Sequence, residues 1–135
     1  MKPLEGITVL EFSTMITASF AAMMMAEQGA RVIKVEPMNV GDPMRYIGAN
    51  KGGISSLFAN CNRGKQSIRV NLKEQAGQEL IRELVAEVDV FIHNFRPGVM
   101  DKLNLGSDAL RELNPRLIYA AISGFGKEGP LGRAP

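Results

Sequence analysis

The stretch Ile7-Thr8-Val9-Leu10-Glu11-Phe12, then Ala18 to Gln28, then Arg31-Val32-Ile33-Lys34-Val35 decides the fold. Its first part is a near-continuous apolar run, the pattern of a strand covered on both faces of a parallel sheet. Its second part is long enough for about three helical turns and is apolar nearly all round, which predicts a buried helix. Gly29 stands where a left-handed C-terminal cap belongs. Arg31 to Val35 is a strand again. A strand, a covering helix and a second strand in this order form a parallel crossover unit.

The alternation continues toward the C-terminus. From Pro37 to Gln66 there is no clear period, and Gly41, Pro43, Gly48, Gly52, Gly53 and Gly64 punctuate the stretch. A connection this long inside a compact domain tends to carry function or mobility. Ser67 to Leu72 predicts a third strand. Ala76, Leu80, Leu84 and Val88 recur every four residues, and Ile81 and Val85 widen the stripe, so this is the best-defined helix. Asn71 followed by Glu74 predicts a capping box at its start. Val90 to His93 is the next strand, Asn94 to Gly98 a turn, and Val99 to Lys102 a short helix. Ser107 is expected to cap a further helix that ends near Asn114, because Pro115 follows. Leu117 to Ser123 is the last strand, and Gly124 to Pro135 a glycine-rich tail. The fold class is therefore α/β, an open, mostly parallel sheet with flanking helices.

Composition narrows the function. The 135 residues make one domain, with ordinary globular content at 45% hydrophobic and 22% charged. A net charge of +2 is too small to argue for nucleic acid or a membrane surface, and it fits an anionic small ligand equally well as no ligand at all. Cys61 is the only cysteine, so no internal disulfide exists and a reducing, cytoplasmic setting is expected. No segment reaches the roughly 20 apolar residues that span a bilayer. Met15 to Ala26 has the apolar character of a signal-peptide core. However, Glu5 and Glu11 precede it where such a signal carries positive charge. Met23, Met24 and Met25 are expected to fill a core.

Ligands of open parallel sheets sit beyond the carboxyl ends of the strands. Ser13 to Thr17, Pro37 onward and Asn94 to Gly98 occupy that edge. Glu36 ends the second strand, where a nicotinamide enzyme holds its ribose. Yet the Ser13-Thr14-Met15-Ile16-Thr17 turn has no glycine to let a pyrophosphate approach. The other reading of Glu36 is a solvated strand-end carboxylate. The turn Asn94-Phe95-Arg96-Pro97-Gly98 offers an aromatic face for an adenine and a guanidinium for phosphate; equally, Phe95 can belong to the core of a tight turn. Arg63, Lys65, Arg69 and Lys73 suit an anion, although a solvated face explains such a run more often. His93, at a strand end, is read as structural, and Cys61 has no evident base to make it a nucleophile. One histidine and one cysteine make no metal cluster, and no metal is expected.

Taken in order, several segments resemble family III CoA-transferases, a group that also contains 2-methylacyl-CoA racemases. They are Leu4 to Leu10, Gly29 to Pro37, Gly41-Asp42-Pro43-Met44-Arg45, Asn62 to Ser67, Val70 to Lys73, Asn94 to Met100, Leu103 to Gly106, Asn114 to Tyr119 and Ser123 to Gly126. The resemblance implies a Rossmann-like CoA-binding portion spanning residues 1–135 of a longer enzyme whose second domain is absent here. It implies a homodimer of interlocked chains and an aspartate nucleophile beyond Pro135, so no catalytic residue lies in this chain. Coenzyme A, as acyl-CoA, and a small carboxylic acid are the implied substrates. The implied CoA contacts are Ile16 and Thr17 in the first turn, Val70, Asn71, Leu72 and Lys73 at the third strand, Asn94, Phe95 and Arg96 in the later turn, and Lys102. Two positions depart from the family pattern: Ala18-Ser19 stands for the usual Gly-Pro, and Pro37 for an arginine of some members. The alternatives are a racemase and a non-catalytic CoA-binding remnant. The long connection after the second strand, with Ser55-Ser56-Leu57-Phe58 leading into Asn60, resembles the transferases.

Overall fold

The structure is a computed structural model and describes residues 1–132. In chain order its elements are β1 (Thr8–Phe12), α1 (Thr17–Glu27), β2 (Arg31–Glu36), a 3-10 turn (Pro43–Tyr46), β3 (Asn50–Lys51), β4 (Ile54–Ser55), α2 (Ser56–Asn62), β5 (Gln66–Arg69), α3 (Gln75–Ala86), β6 (Val90–His93), α4 (Val99–Lys102), α5 (Ser107–Leu113) and β7 (Ile118–Ala121). Five strands form one parallel sheet in the order β5-β2-β1-β6-β7, and β3 and β4 form a separate antiparallel hairpin. β1 is central: Leu10 pairs with Ile33 on one side and Phe91 on the other. The expected α/β open parallel sheet is what the chain forms.

Side chains alternate faces along each strand, so each sheet face has its own core. Leu10, Phe12, Ile33, Val35 and Phe91 pack under α3 and α5, against Ile81, Val85 and Leu110. Phe91 stacks on Phe12 at 4.8 Å and on Tyr119 at 5.1 Å, joining three strands through aromatic faces. On the other face Val9, Val32 and Ile92 meet Ala18 and Ala22 of α1.

Several expectations need correction. The helix α1 is not buried all round: Phe20 and Met24 are 48% and 46% exposed, because only one side of the helix meets the sheet. Of the three methionines, Met23 alone is fully buried. The capping box at Asn71 and Glu74 does not form. Glu74 is itself the N-cap, without a side-chain cap bond, and Asn71 instead accepts from the Lys73 amide and donates to the Glu74 carboxylate. Gly106 is the N-cap of α5, and Ser107 is its first helical residue. The unperiodic Pro37–Gln66 stretch is structured, as the 3-10 turn, the β3–β4 hairpin and α2. Each piece is too short to show a period, and charged side chains do much of the anchoring.

Gly77, in the first turn of α3, sits hard against the preceding loop. A Cβ there would lie 2.1 Å from the Asn71 carbonyl oxygen, and that loop is itself tied by the Glu74 amide donating to Asn71. Helix propensity alone favours Gly77→Ala by about 1 kcal/mol. The backbone overlap should reverse the sign, giving a net loss of at least about 1 kcal/mol in urea unfolding. A stabilised Gly77→Ala variant would show that the loop yields freely.

Candidate functional site

The carboxyl edge of the sheet is built around charge. The alternation that sends Val9 and Val32 toward α1 sends Glu11 and Lys34 the same way, and the two are register partners on β1 and β2. Both are buried, with Lys34 only 1% exposed. Lys34 Nζ lies 2.8 Å from Glu11 Oε1 and 3.0 Å from Asp42 Oδ2, and it also donates to the hydroxyls of Ser13 and Ser19. Lys65 completes the group, 2.6 Å from Glu11 Oε2, and donates to the Ser19 carbonyl and to Asn62. Glu11 Oε2 and Asp42 Oδ2, which have no hydrogen-bond partner among the described residues, are thus each met by an ammonium. Burial pushes the Lys65 ammonium below its ordinary pKa, and Glu11 opposes that shift.

A second buried carboxylate lies beside it. Glu36 receives two bonds from the Arg45 guanidinium, at 2.8 and 2.6 Å, one from Ser67 and one from the Asp42 amide. Arg45 in turn lies 3.9 Å over the Phe58 ring. Glu36 is therefore neither a solvated strand-end carboxylate nor a free ribose ligand: its acceptor sites are taken up within the fold. Lys65 likewise is not part of a solvated face.

Between β1 and β6, where the strand order reverses, the first turn and the Asn94 turn are tied together. Asn94 Oδ1 accepts from the Thr14 amide, and its Nδ2 donates to the Thr14 carbonyl at 2.7 Å and to Thr17 Oγ1 at 3.0 Å. Both donors of that amide are used. One step along the sheet, a cavity of about 320 Å³ opens at the carboxyl ends of β6 and β7. Its wall includes Phe95, Pro97 and Gly98 of the turn, His93 and Tyr119 of the strands, and Asp101, Arg111 and Lys127 around the rim. Burial lowers the His93 pKa, with Asp101 opposing, so the imidazole is neutral near pH 7; its Nδ1 accepts from the Phe95 amide. Burial, and then Asp101, pushes the Tyr119 phenol up to about 12, and its hydroxyl donates to the Leu105 carbonyl.

The residues singled out in the sequence are therefore dispersed. Phe95 lines the cavity and packs against the core of the α3 face, so the two readings of its turn meet in one side chain. Arg96 is exposed on the same turn, and Lys102 is exposed at the end of α4. Ile16 is the N-cap of α1, and Thr17 is joined to Asn94. Val70 is buried in the core and Leu72 packs against it, while Lys73 borders a separate depression with Gln78, Arg82 and Asn104. β5 and β6 are three strand spacings apart, roughly 14 Å. Arg111, Tyr119 and Lys127 were not singled out from the sequence. The signal available for Lys127 was its place after the carboxyl end of the last strand, whereas Tyr119 lies within that strand. Among the described residues no group of three or more His, Cys, Asp or Glu side chains can hold a metal, and no helix is long and apolar enough to cross a membrane.

A five-stranded parallel sheet with this strand order and flanking helices defines a Rossmann-like α/β unit. The chain belongs to CoA-transferase family III, whose pattern it matches over residues 4–135. It is 42% identical over 133 residues to acetyl-CoA:oxalate CoA-transferase of Acetobacter aceti, an alignment covering 98% of this chain and 34% of that protein. It is 39% identical to human succinyl-CoA:glutarate CoA-transferase, covering 98% of this chain and 31% of that one. A CAIB/BAIF family protein from Brucella suis has a similar structure, with a TM-score of 0.92 at 39% identity, over 98% of this chain and 36% of that chain. The chain thus spans about a third of the length of these relatives.

The Glu36 site makes a pH prediction. Burial alone would raise its carboxyl, but the bonds from Arg45, Ser67 and the Asp42 amide outweigh it and bring the pKa from 4.5 down to about 2. A folded pKa below the unfolded one gives stability that is complete above about 4.5 and lost as the pH falls toward about 2, on the order of 3 kcal/mol in all. The stability gap between the protein and Glu36→Gln, read from denaturant unfolding, should be widest near neutral pH and close across that window. A gap independent of pH would contradict it.

Proposed function

We propose that the protein carrying this chain is a CoA-transferase that moves CoA between carboxylic acids, and that these residues form its CoA-binding portion. The observation that carries the reading is the cavity at the ends of β6 and β7, which the aromatic side chains Phe95 and Tyr119 line together with the cations Arg111 and Lys127. An aromatic face suits a purine, and cations suit its phosphates. Arg96, exposed on the same turn, and Lys102 add positive charge nearby. Lys73 and Val70 to Leu72, toward the far edge, fit a ligand long enough to run along the carboxyl side of several strands, as an extended acyl-CoA is.

The chemistry follows the family resemblance. A carboxylate nucleophile, an aspartate outside this chain, attacks the acyl-CoA thioester carbonyl and expels CoA thiolate, leaving a mixed anhydride. The thiolate then attacks the anhydride at the enzyme's carbonyl, releasing the first acid and leaving an enzyme thioester. The acceptor acid finally takes the CoA through a second anhydride, and the enzyme carboxylate is restored. The carboxylates buried at the edge here, Glu11, Glu36 and Asp42, are all committed to cations, so none is poised for that attack. The reading includes a homodimeric, cytoplasmic parent, and these residues alone should not turn over.

Two measurements test it. In the full-length protein, Arg96→Ala and Arg111→Ala should each weaken CoA binding by calorimetry about tenfold, the worth of one charge-assisted contact. Acyl-CoA donors with acid acceptors should give exchanged thioesters. Exchange of the C2 hydrogen of a 2-methylacyl-CoA with solvent deuterium, without thioester exchange, would replace the reading with a racemase; CoA binding without either reaction would leave a binding remnant.

A further inference from the structure

The backbone of the first turn is held by side chains from elsewhere in the fold. The Ser13 carbonyl accepts from Lys34 Nζ at 3.2 Å, and the Thr14 amide donates to Asn94 Oδ1 at 3.0 Å. The Thr14 carbonyl accepts from Asn94 Nδ2, and the Met15 amide donates to Asp42 Oδ1 at 3.2 Å. These are consecutive polar groups, and their partners come from β2, the segment after it, and the turn after β6. Phosphate-binding turns leave such amides free for the ligand. At the centre of this clamp Met15 has φ +62°, the left-handed region that a residue with a Cβ rarely enters. Its side chain is 36% exposed, so burial does not hold it there. Strain of this kind persists only where the surroundings impose it.

We propose that Asn94 and Asp42 are positioning residues: they clamp the first turn from opposite sides, force Met15 into the left-handed conformation, and so set how Ile16 and Thr17 face an acyl-CoA. The inference rests on the CoA-transferase reading for its ligand, but the clamp stands on its own geometry. Asp42 is itself placed by Lys34 and bonds the Met44 amide, so the buried ion group reaches the turn through it. Asn94, with both N–H donors engaged in the clamp, acts on the ligand through the turn.

The test uses the full-length protein with Met15→Gly, Met15→Val and Asn94→Ala. Glycine enters the left-handed region freely and valine is the least able to. Met15→Gly should keep kcat within about twofold, because the geometry is kept, whereas Met15→Val and Asn94→Ala should lower kcat about tenfold or more. CoA affinity by calorimetry should change less than about threefold in all of them. A large loss of CoA affinity in Asn94→Ala with kcat unchanged would make Asn94 a direct contact and overturn the proposal. Equal behaviour of the glycine and valine variants would overturn the conformational part. Hydrogen exchange of the unmutated protein is read alongside, and slow exchange of the Thr14 and Met15 amides is expected. Fast exchange there would sink the clamp even if a variant failed to fold. Absence of thioester exchange by the unmutated protein would refute the CoA-transferase reading alone, leaving the clamp to stand or fall on the amide protection.

Discussion

The position of Lys34 in the middle of a buried strand is the constraint on which the carboxyl half of the structure depends. A lone ammonium in a dry interior costs several kcal/mol, and neutralising it requires carboxylates at close range. Glu11 is there by register, one strand away on the same face. It is one carboxylate serving two lysines, Lys34 and Lys65, the second just before β5, so Asp42 has to reach in from the segment after β2. The excursion between β2 and β5 is thereby pinned at both ends. The Glu36–Arg45 pair, with Arg45 over the Phe58 ring, pins it a third time. Such a group adds little net stability over an apolar core of equal volume, but breaking it by removing one member typically costs about 3–5 kcal/mol. Its effect is to specify one arrangement of a segment that has almost no hydrophobic pattern of its own.

That arrangement decides where a ligand can sit. In an open sheet ordered β5-β2-β1-β6-β7 the natural crevice lies between β1 and β6. Here the crevice is bridged by the Asn94 amide, and the turn beside it has no glycine and no free Thr14 or Met15 amide. A pyrophosphate bound in the manner of a dinucleotide finds no backbone cradle. The open volume lies one strand further, over β6 and β7, among aromatic faces and rim cations. The same topology that serves dinucleotides elsewhere is thus used with a different wall.

Much of this was legible in the sequence. The apolar runs at Val9–Leu10 and Val32–Ile33, the four-residue repeat from Ala76 to Val88, and Pro115 place the strands and the main helix with little ambiguity. Their burial is local, and period alone reports it. The Asn94–Gly98 turn stood out by composition, and it does border the cavity. By contrast, Glu11, Lys34 and Glu36 read as ordinary charges within or at the end of strands. Nothing in the chain near Lys34 announces that Asp42 and Lys65 will meet it.

The sequence by itself determined the order of the sheet strands and of the helices outside residues 37–66, and the parallel sheet, because these follow from hydrophobic spacing between near neighbours. Only the tertiary structure decided that Asn94 is tied to Thr14 and Thr17 and that Glu36 is locked to Arg45. It also decided that Arg111 and Lys127 border the same cavity as Phe95. The ties of Asn94 and Glu36 are polar contacts whose strength depends on burial and on partners distant in sequence or across a loop, and the cavity depends on where the backbone brings its walls. A charge shows its partner only once the backbone has brought both into the same low-dielectric space.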